Sequence, residues 1–297
     1  MRILIATPVA GTQVYTNYVQ SILETTLQAP NYGLTIDTYV MAGCSLLMKG
    51  RDTLVMFALE NNYDAVLWID SDIGWRFPDV LRLVASGHEF VGGLYPKKQL
   101  SDKALREAVD SGDPRLLAKS YDYVLNGTGK EDPVNEHFMA RCNGLGCGFT
   151  LTRTSVYRKM IEAGVVQEYD FSYPGIKAKT AYNFFSALIL DDKRYLSEDL
   201  SMCYRWVDLL GGDIWADYSV NLSHSGTFEF HGEPSTMFLG GPVRLTTNLV
   251  VKDGVANLET VSSAPTADGR SDWMDKIIAH GPVGGVTKEA PDEADKG

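Results

Sequence analysis

Ala65-Val66-Leu67-Trp68-Ile69 is an uninterrupted apolar run of strand length, and Asp70-Ser71-Asp72 follows it directly. The run reads as a buried strand with two carboxylates at its carboxyl end. In open α/β sheets, ligands bind just outside that end of the strands. Residues two apart in an extended segment point to the same side, so Asp70 and Asp72 can face one hard cation together. Two carboxylates plus the phosphates of a substrate commonly hold Mg²⁺ or Mn²⁺. The tripeptide also suits a plain turn, because Asp favours turns and Gly74 and Pro78 follow.

The surrounding pattern supports a sheet. Ile3 to Ala6 reads as a first strand. Thr16 to Leu27 carries Tyr18, Val19, Ile22, Leu23 and Leu27 at helical spacing. Leu34 to Val40 alternates as a second strand, and Leu46 to Glu60 reads as a helix with Leu47, Leu54, Phe57 and Ala58 on one side. Pro78 opens a short helix through Val84 that Gly87 closes, and Glu89 to Leu94 is a fourth strand. This strand–helix alternation predicts an α/β fold with a mostly parallel, nucleotide-binding type of sheet.

The pattern loosens after Tyr95. Residues Pro96 to Glu136 are polar with little strand signal, Val124 excepted. Cys142 to Thr152 is a glycine-rich approach into a strand, Thr154 to Ala163 and Ser197 to Leu210 read as helices, and Ile214 to Leu222 as a strand. Val243 to Val251 and Val255 to Val261 read as a hairpin around Asp253-Gly254, and the Gly-, Pro- and acid-rich tail from Gly281 as disordered.

Charge and cysteine usage exclude some functions. Lys and Arg number 27 against 38 Asp and Glu, and 27 − 38 = −11 argues against general nucleic-acid binding, which rests on neutralising phosphates. Lys97, Lys98 and Lys103 remain candidates for a local basic patch. Cys44, Cys142, Cys147 and Cys203 form no C-x-x-C pair, which points to buried thiols in a reducing compartment rather than a zinc ribbon. The apolar start is too short for a signal peptide and is cut by Pro8, and no run reaches membrane-spanning length. The expectation is a cytoplasmic protein, the host's cytoplasm if the source is viral, with no membrane insertion.

Three further features bear on chemistry. Ser197 precedes Glu198 and Asp199 at a helix start, where acids favour the macrodipole. An acid held at such a mouth can also take a proton as a general base. His224, between a strand and Gly226, suits either a structural role or an Asp-Asp-His shell for Mn²⁺ completed by diphosphate oxygens, with His231 competing for that place. Gly144-x-Gly146-x-Gly148 follows no first strand and opens no helix, so it is not a dinucleotide fingerprint. It serves either close backbone approach to a bound sugar or acceptor, or a tight turn.

In this order the pieces resemble a glycosyltransferase of the GT-A fold, from about Met1 to Gly232. Thr7-Pro8 resembles its first nucleotide-contacting loop, Arg51-Asp52 its Arg-Asn or Arg-Asp element near the nucleotide, and Leu67 to Asp72 its strand-terminal D-x-D motif. Val91 to Tyr95 resembles the strand after it, Asn143 to Phe149 the glycine-rich acceptor-side loop, Ser197-Glu198-Asp199 the x-E-D motif, and His224 the C-terminal metal-binding histidine. The ending from Trp215 to Gly232 is most similar to uncharacterised bacterial and viral members.

The resemblance implies a GT-A-type sheet with helices on both faces and a less regular acceptor-side half. It implies one domain over 1–240, with a nucleotide-sugar half at 1–100 and an acceptor half at 140–232. A hairpin extension at 241–280 and the tail at 281–297 follow. It also implies a nucleotide-sugar donor, most often UDP-linked, and Mn²⁺ or Mg²⁺ held by Asp72 and His224, with Asp70 nearer ribose or metal. Thr7, Pro8, Arg51, Asp70, Ser71 and Asp72 would contact the donor; Tyr95, Gly144, Gly146 and Gly148 the acceptor. Asp199 would be the base of an inverting transfer and Glu198 an acceptor-orienting group. The acceptor is open: protein, glycan, small molecule or modified base. Two other classes are a nucleotidyltransferase, for which Ala10-Gly11-Thr12 is a poor phosphate loop, and a non-catalytic nucleotide-sugar or carbohydrate binder.

Overall fold

The strands begin where β-branched and large apolar residues cluster, and the helices between them end on glycine or at a change of pattern. In a computed structural model, which describes residues 1–112, 114–126, 133–226, 229–252 and 255–263, the chain opens with β1 (Arg2–Pro8), α1 (Thr16–Gln28), β2 (Thr35–Met41), α2 (Leu47–Glu60), β3 (Ala65–Ile69), β4 (Ile73–Gly74), α3 (Phe77–Ala85) and β5 (Phe90–Gly93). Next come β6 (Pro96–Leu100), α4 (Asp102–Asp110), α5 (Leu116–Ser120), β7 (Tyr121–Tyr123), β8 (Met139–Cys142), β9 (Phe149–Arg153) and α6 (Thr154–Glu162). Four short strands, β10 (Glu168–Asp170), β11 (Thr180–Tyr182), β12 (Leu188–Ile189) and β13 (Tyr195–Leu196), lead to α7 (Glu198–Val207). β14 (Ile214–Asp217), β15 (Ser223–Ser225), β16 (Glu229–His231), α8 (Pro234–Leu239), β17 (Arg244–Lys252) and β18 (Val255–Ser263) complete the described chain.

The fold is mixed α/β around a seven-stranded sheet of order β2-β1-β3-β9-β5-β14-β8. β2, β1 and β3 pair parallel, and so do β5 and β14. β9 runs against both β3 and β5, and β8 runs against β14. The sheet is therefore mostly parallel in direction with two opposed strands. Alternate residues of each strand enter different cores, as a period of two requires. Leu4, Ala6, Val66 and Trp68 pack with Leu54, Val55, Val156, Met160 and Met202 of α2, α6 and α7. Ile3, Ile5, Ala65, Leu67 and Ile69 pack with Tyr18 of α1 and Phe77, Val80, Leu81 and Leu83 of α3. The helices after β1 and after β2 thus cover opposite faces. That makes the boundary between β1 and β3 a topological switch point, where a crevice opens at the carboxyl ends of the strands.

Three details depart from the sequence pattern. The apolar stripe of α1 is only partly its buried face: Val19, Leu23 and Leu27 are exposed. The helix is held instead by Ser21 and Thr25, whose hydroxyls bond the Trp75 backbone and indole nitrogen at 2.7–2.9 Å. The polar stretch after Tyr95 carries regular structure, with β6 pairing β7 and with α4 and α5 between them. The expected strand over Ile214–Leu222 stops at Asp217, and a new strand starts at Ser223. β17 and β18 pair antiparallel along their length, as the sequence implies, while their turn at Asp253-Gly254 and the tail lie outside the described residues.

Asp217 ends β14 because its carboxylate is a structural anchor. Arg82 of α3 donates to its Oδ2 from Nε at 2.9 Å and from Nη2 at 2.8 Å, with both side chains almost wholly buried. Ser219 donates to the other oxygen. Removing one partner strands a buried charge. Arg82→Leu should cost about 3–5 kcal/mol of stability. Urea unfolding checks this, and a loss under 1 kcal/mol (the range of exposed pairs) would show that the pair adds little.

Candidate functional site

Ile69 ends β3 beside the last residues of β1, since Ala6 pairs Trp68 in the parallel register. Asp70, Ser71 and Asp72 therefore emerge at the switch point as a turn, closed by Ile73 N donating to Asp70 O at 3.1 Å. The turn is braced from both sides: Asp70 N donates to Gly148 O at 3.2 Å, and Tyr15 N donates to Ser71 O at 3.0 Å.

Asp72 is joined by residues far along the chain. β15 runs antiparallel to β4 with His224 opposite Ile73, and Ser225 N donates to Asp72 O at 2.8 Å. This ladder sets His224 Nε2 3.4 Å from Asp72 Oδ1. The other ring nitrogen, Nδ1, lies 2.8 Å from the carbonyl oxygen of Pro96. A carbonyl only accepts, so Nδ1 carries the proton there. In the neutral ring Nε2 is then an acceptor facing a carboxylate oxygen, a pair that calls for a proton or a cation between them. On the other side, Lys98 Nζ stands 2.5 Å from Asp72 Oδ2. Burial pushes the Asp72 carboxyl up, but His224 and Lys98 outweigh it and hold its pKa below the usual value.

Asp70 faces a different partner. Arg51 of α2 is nearly fully buried, its Nη2 lies 3.4 Å from Asp70 Oδ1, and its Cζ stands 5.9 Å and 5.6 Å from the ring centres of Trp68 and Phe185. Its Nε and Nη1 have no hydrogen-bond partner among the described residues. Burial works against the Arg51 charge, yet Cys147, Asp70, Glu198 and Asp199 outweigh it and raise its pKa. Burial also raises the Asp70 pKa, with Arg51 and His224 opposing and Asp72 and Asp199 adding to the rise. Glu198 and Asp199 at the start of α7 thus belong to the same electrostatic neighbourhood as the strand-end aspartates. Ser197 stands at the cap position but makes no capping bond; its hydroxyl donates to Asp199 Oδ1 instead.

The other sequence candidates take varied places. Thr7 is fully buried with its hydroxyl on Tyr18 at 2.7 Å, and Pro8 is buried at the end of β1. Tyr95 is buried edge-on to His224, with ring centroids 5.5 Å apart. Gly146 and Gly148 leave room for that ring: a Cβ at Gly148 would stand 2.6 Å from Tyr95 Cζ. Gly144 lies against Leu200, where a Cβ would meet Cδ2 at 2.8 Å. His231 pairs with Glu229 at the surface rather than with Asp72. Three of the four cysteines are buried, and all four are free thiols. The residue whose site role sequence reasoning missed is Lys98; its charge was the only signal, and the polar run around it gave no register.

Asp52, next to Arg51, turns into the core. Its Oδ1 accepts from Phe185 N at 3.1 Å and its Oδ2 from the Tyr169 hydroxyl at 3.5 Å. Burial dominates and raises its pKa from 3.8 to about 7. Between those values the folded chain keeps a proton that the unfolded chain releases, so this group's contribution to stability falls as pH rises from about 4 to 7. Asp52→Asn should flatten that part of the curve of melting temperature against pH. An unchanged slope would assign it to another group.

A cleft of about 780 Å³ lies away from these residues, at the amino ends of β5 and β14, lined by His88, Glu89, Lys159, Trp206, Asp213 and Trp215. Its charges serve one another: Lys159 pairs Glu89, Arg141 pairs Asp213, and His88 stacks on Trp215. The strand-end aspartates, Arg51, His224 and Lys98 gather at the switch point instead. Among the described residues, no helix is long and apolar enough to cross a membrane.

No protein-family model matches the chain, and no curated protein matches it. Among solved structures it is similar to a crystal structure of GalNAc-T7 with UDP, GalNAc and Mn²⁺, with a TM-score of 0.36 and 7% identity over 75% of this chain. The chain spans 43% of the length of that protein. A likeness of this size transfers no residue role.

Proposed function

We propose that the chain is a metal-assisted glycosyltransferase that moves a sugar from a nucleotide sugar, UDP-linked by the sequence resemblance, to a hydroxyl acceptor. The observation that carries this reading is the convergence of Asp72 and His224 Nε2, 3.4 Å apart, at the switch-point crevice, with Pro96 fixing the histidine tautomer. Among the described residues no three His, Cys, Asp or Glu side chains gather as a complete ligand set. One carboxylate and one imidazole are nevertheless a fitting donor pair for Mn²⁺ or Mg²⁺ when substrate phosphates supply the remaining oxygens. Asp72 and His224 would hold the ion, with Asp70 turned toward Arg51 beside it. When bound, the ion offsets the charge that builds on the departing diphosphate.

The chain's own groups supply the rest. Arg51 fixes Asp70, and the backbone at Thr7, Pro8 and Ser71 forms the floor beneath the donor. Asp199, oriented by Ser197, takes the acceptor's hydroxyl proton in an inverting transfer. Glu198 orients the acceptor. Tyr95, seated in the space left by Gly146 and Gly148, walls the site beside His224. The test is a thermal-shift screen of nucleotide sugars with and without Mn²⁺. A ligand that binds only the folded state raises the melting temperature. One donor giving a Mn²⁺-dependent rise, followed by release of its diphosphate on turnover, is the expected result. No rise with any donor would remove the basis of the reading.

A further inference from the structure

Asp72 already holds a cation. Lys98 Nζ lies 2.5 Å from its Oδ2, while His224 faces Oδ1. The lysine is placed for this rather than swept there by chance. Its stem runs along Gly226, where a Cβ would stand 3.1 Å from Lys98 Cδ, and its ammonium lies 5.9 Å from the centre of the Tyr15 ring. Lys98 also sits on β6, the strand whose first residue, Pro96, accepts the hydrogen bond from Nδ1 of His224 with its carbonyl oxygen. One short strand therefore sets both the tautomer of the histidine and the charge beside the aspartate.

We infer that Lys98 is a positioning residue that competes with the divalent cation for Asp72 and gives way when a diphosphate arrives; this rests on the metal-site reading above. An ion seated between Asp72 Oδ1 and His224 Nε2 would share one carboxylate with the Lys98 ammonium on Oδ2, and two positive charges that close repel, so each weakens the other's hold on Asp72. The lysine can move, because its side chain is a third exposed and its four-carbon stem is flexible. A diphosphate offers the freed ammonium another anion, and lysine binds phosphate well as a point charge. The metal and the nucleotide would then bind cooperatively, each favouring the arrangement that suits the other.

The experiment is a Mn²⁺ titration followed by electron paramagnetic resonance, on the full chain, with and without UDP. It compares the wild type, Lys98→Met and Asp72→Asn. Without UDP, Lys98→Met should bind Mn²⁺ about fivefold or more tightly than the wild type, the scale of one partly exposed ion pair. UDP should tighten Mn²⁺ binding more in the wild type than in Lys98→Met. Equal Mn²⁺ affinity in these two proteins, with binding lost in Asp72→Asn, would overturn the competition while leaving the metal site standing. No Mn²⁺ binding by any folded protein, with or without UDP, would overturn the metal-site reading and this inference with it.

Discussion

Asp72→Asn is expected to abolish Mn²⁺-dependent donor binding and to lower sugar transfer by about 10³-fold or more, with the fold kept. The size follows from the role. A metal that offsets leaving-group charge is worth several kcal/mol in the transition state, and each 1.36 kcal/mol is about tenfold in rate. The fold should survive because the backbone carbonyl of Asp72, not its side chain, ties the turn to Ser225. The amide is near in shape but cannot supply a negative oxygen to either Lys98 or a metal. Nucleotide-sugar turnover and the Mn²⁺-dependent melting shift should vanish together. Turnover near the wild-type rate would refute the assignment of Asp72.

The second large effect is at Asp199. Asp199→Asn should lower kcat by about 10²–10⁴-fold, the range of a positioned general base. Donor affinity should stay close to wild type, because Asp199 lies on the acceptor side of the proposed site. The Asp199 carboxylate is held in a fixed orientation at the start of α7. Ser197 spends its hydroxyl on Asp199 Oδ1 rather than on a free N–H of α7, and Leu200 N donates to the same oxygen at 2.8 Å. Binding kept with transfer lost marks a transferase. Turnover unchanged in the variant would move the base elsewhere, and donor binding without turnover in the wild type would mark a binder.

The parts legible in the sequence are the local ones. Ala65 to Ile69 is a strand in the structure as its apolar run implies, because a strand covered on both faces needs no polar alternation. The helices over 47–60 and 154–162 follow from their own spacing, closed in the second case by Gly164 in a left-handed conformation. The direction of β9 was not legible. Phe149 to Arg153 alternates like any strand, and alternation is blind to whether its neighbours run with it or against it. The meeting of His224 with Asp72 depends on β4, which is two residues long and carries no periodic signal. Lys98 escaped for the same reason, since β6 holds four exposed residues after Pro96. The glycines at 146 and 148 were visible, but the ring that fills their space comes from Tyr95, far away in sequence.

The hydrogen bond from Asn17 to Ser223 closes a span of 206 residues beside the Asp72 turn. Closing so long a loop costs entropy that only contacts made at closure can offset, and such non-local pairings form slowly. During synthesis the strands β1 to β3 leave the ribosome long before β15 exists. Asp72 must therefore wait, unpaired with His224, until the ladder from β4 through β15 to β16 is laid down. Assembly of the candidate site is thus a late event in the life of the chain: a nascent or truncated product lacking residues 223–231 carries the aspartate turn but not the histidine that faces Asp72.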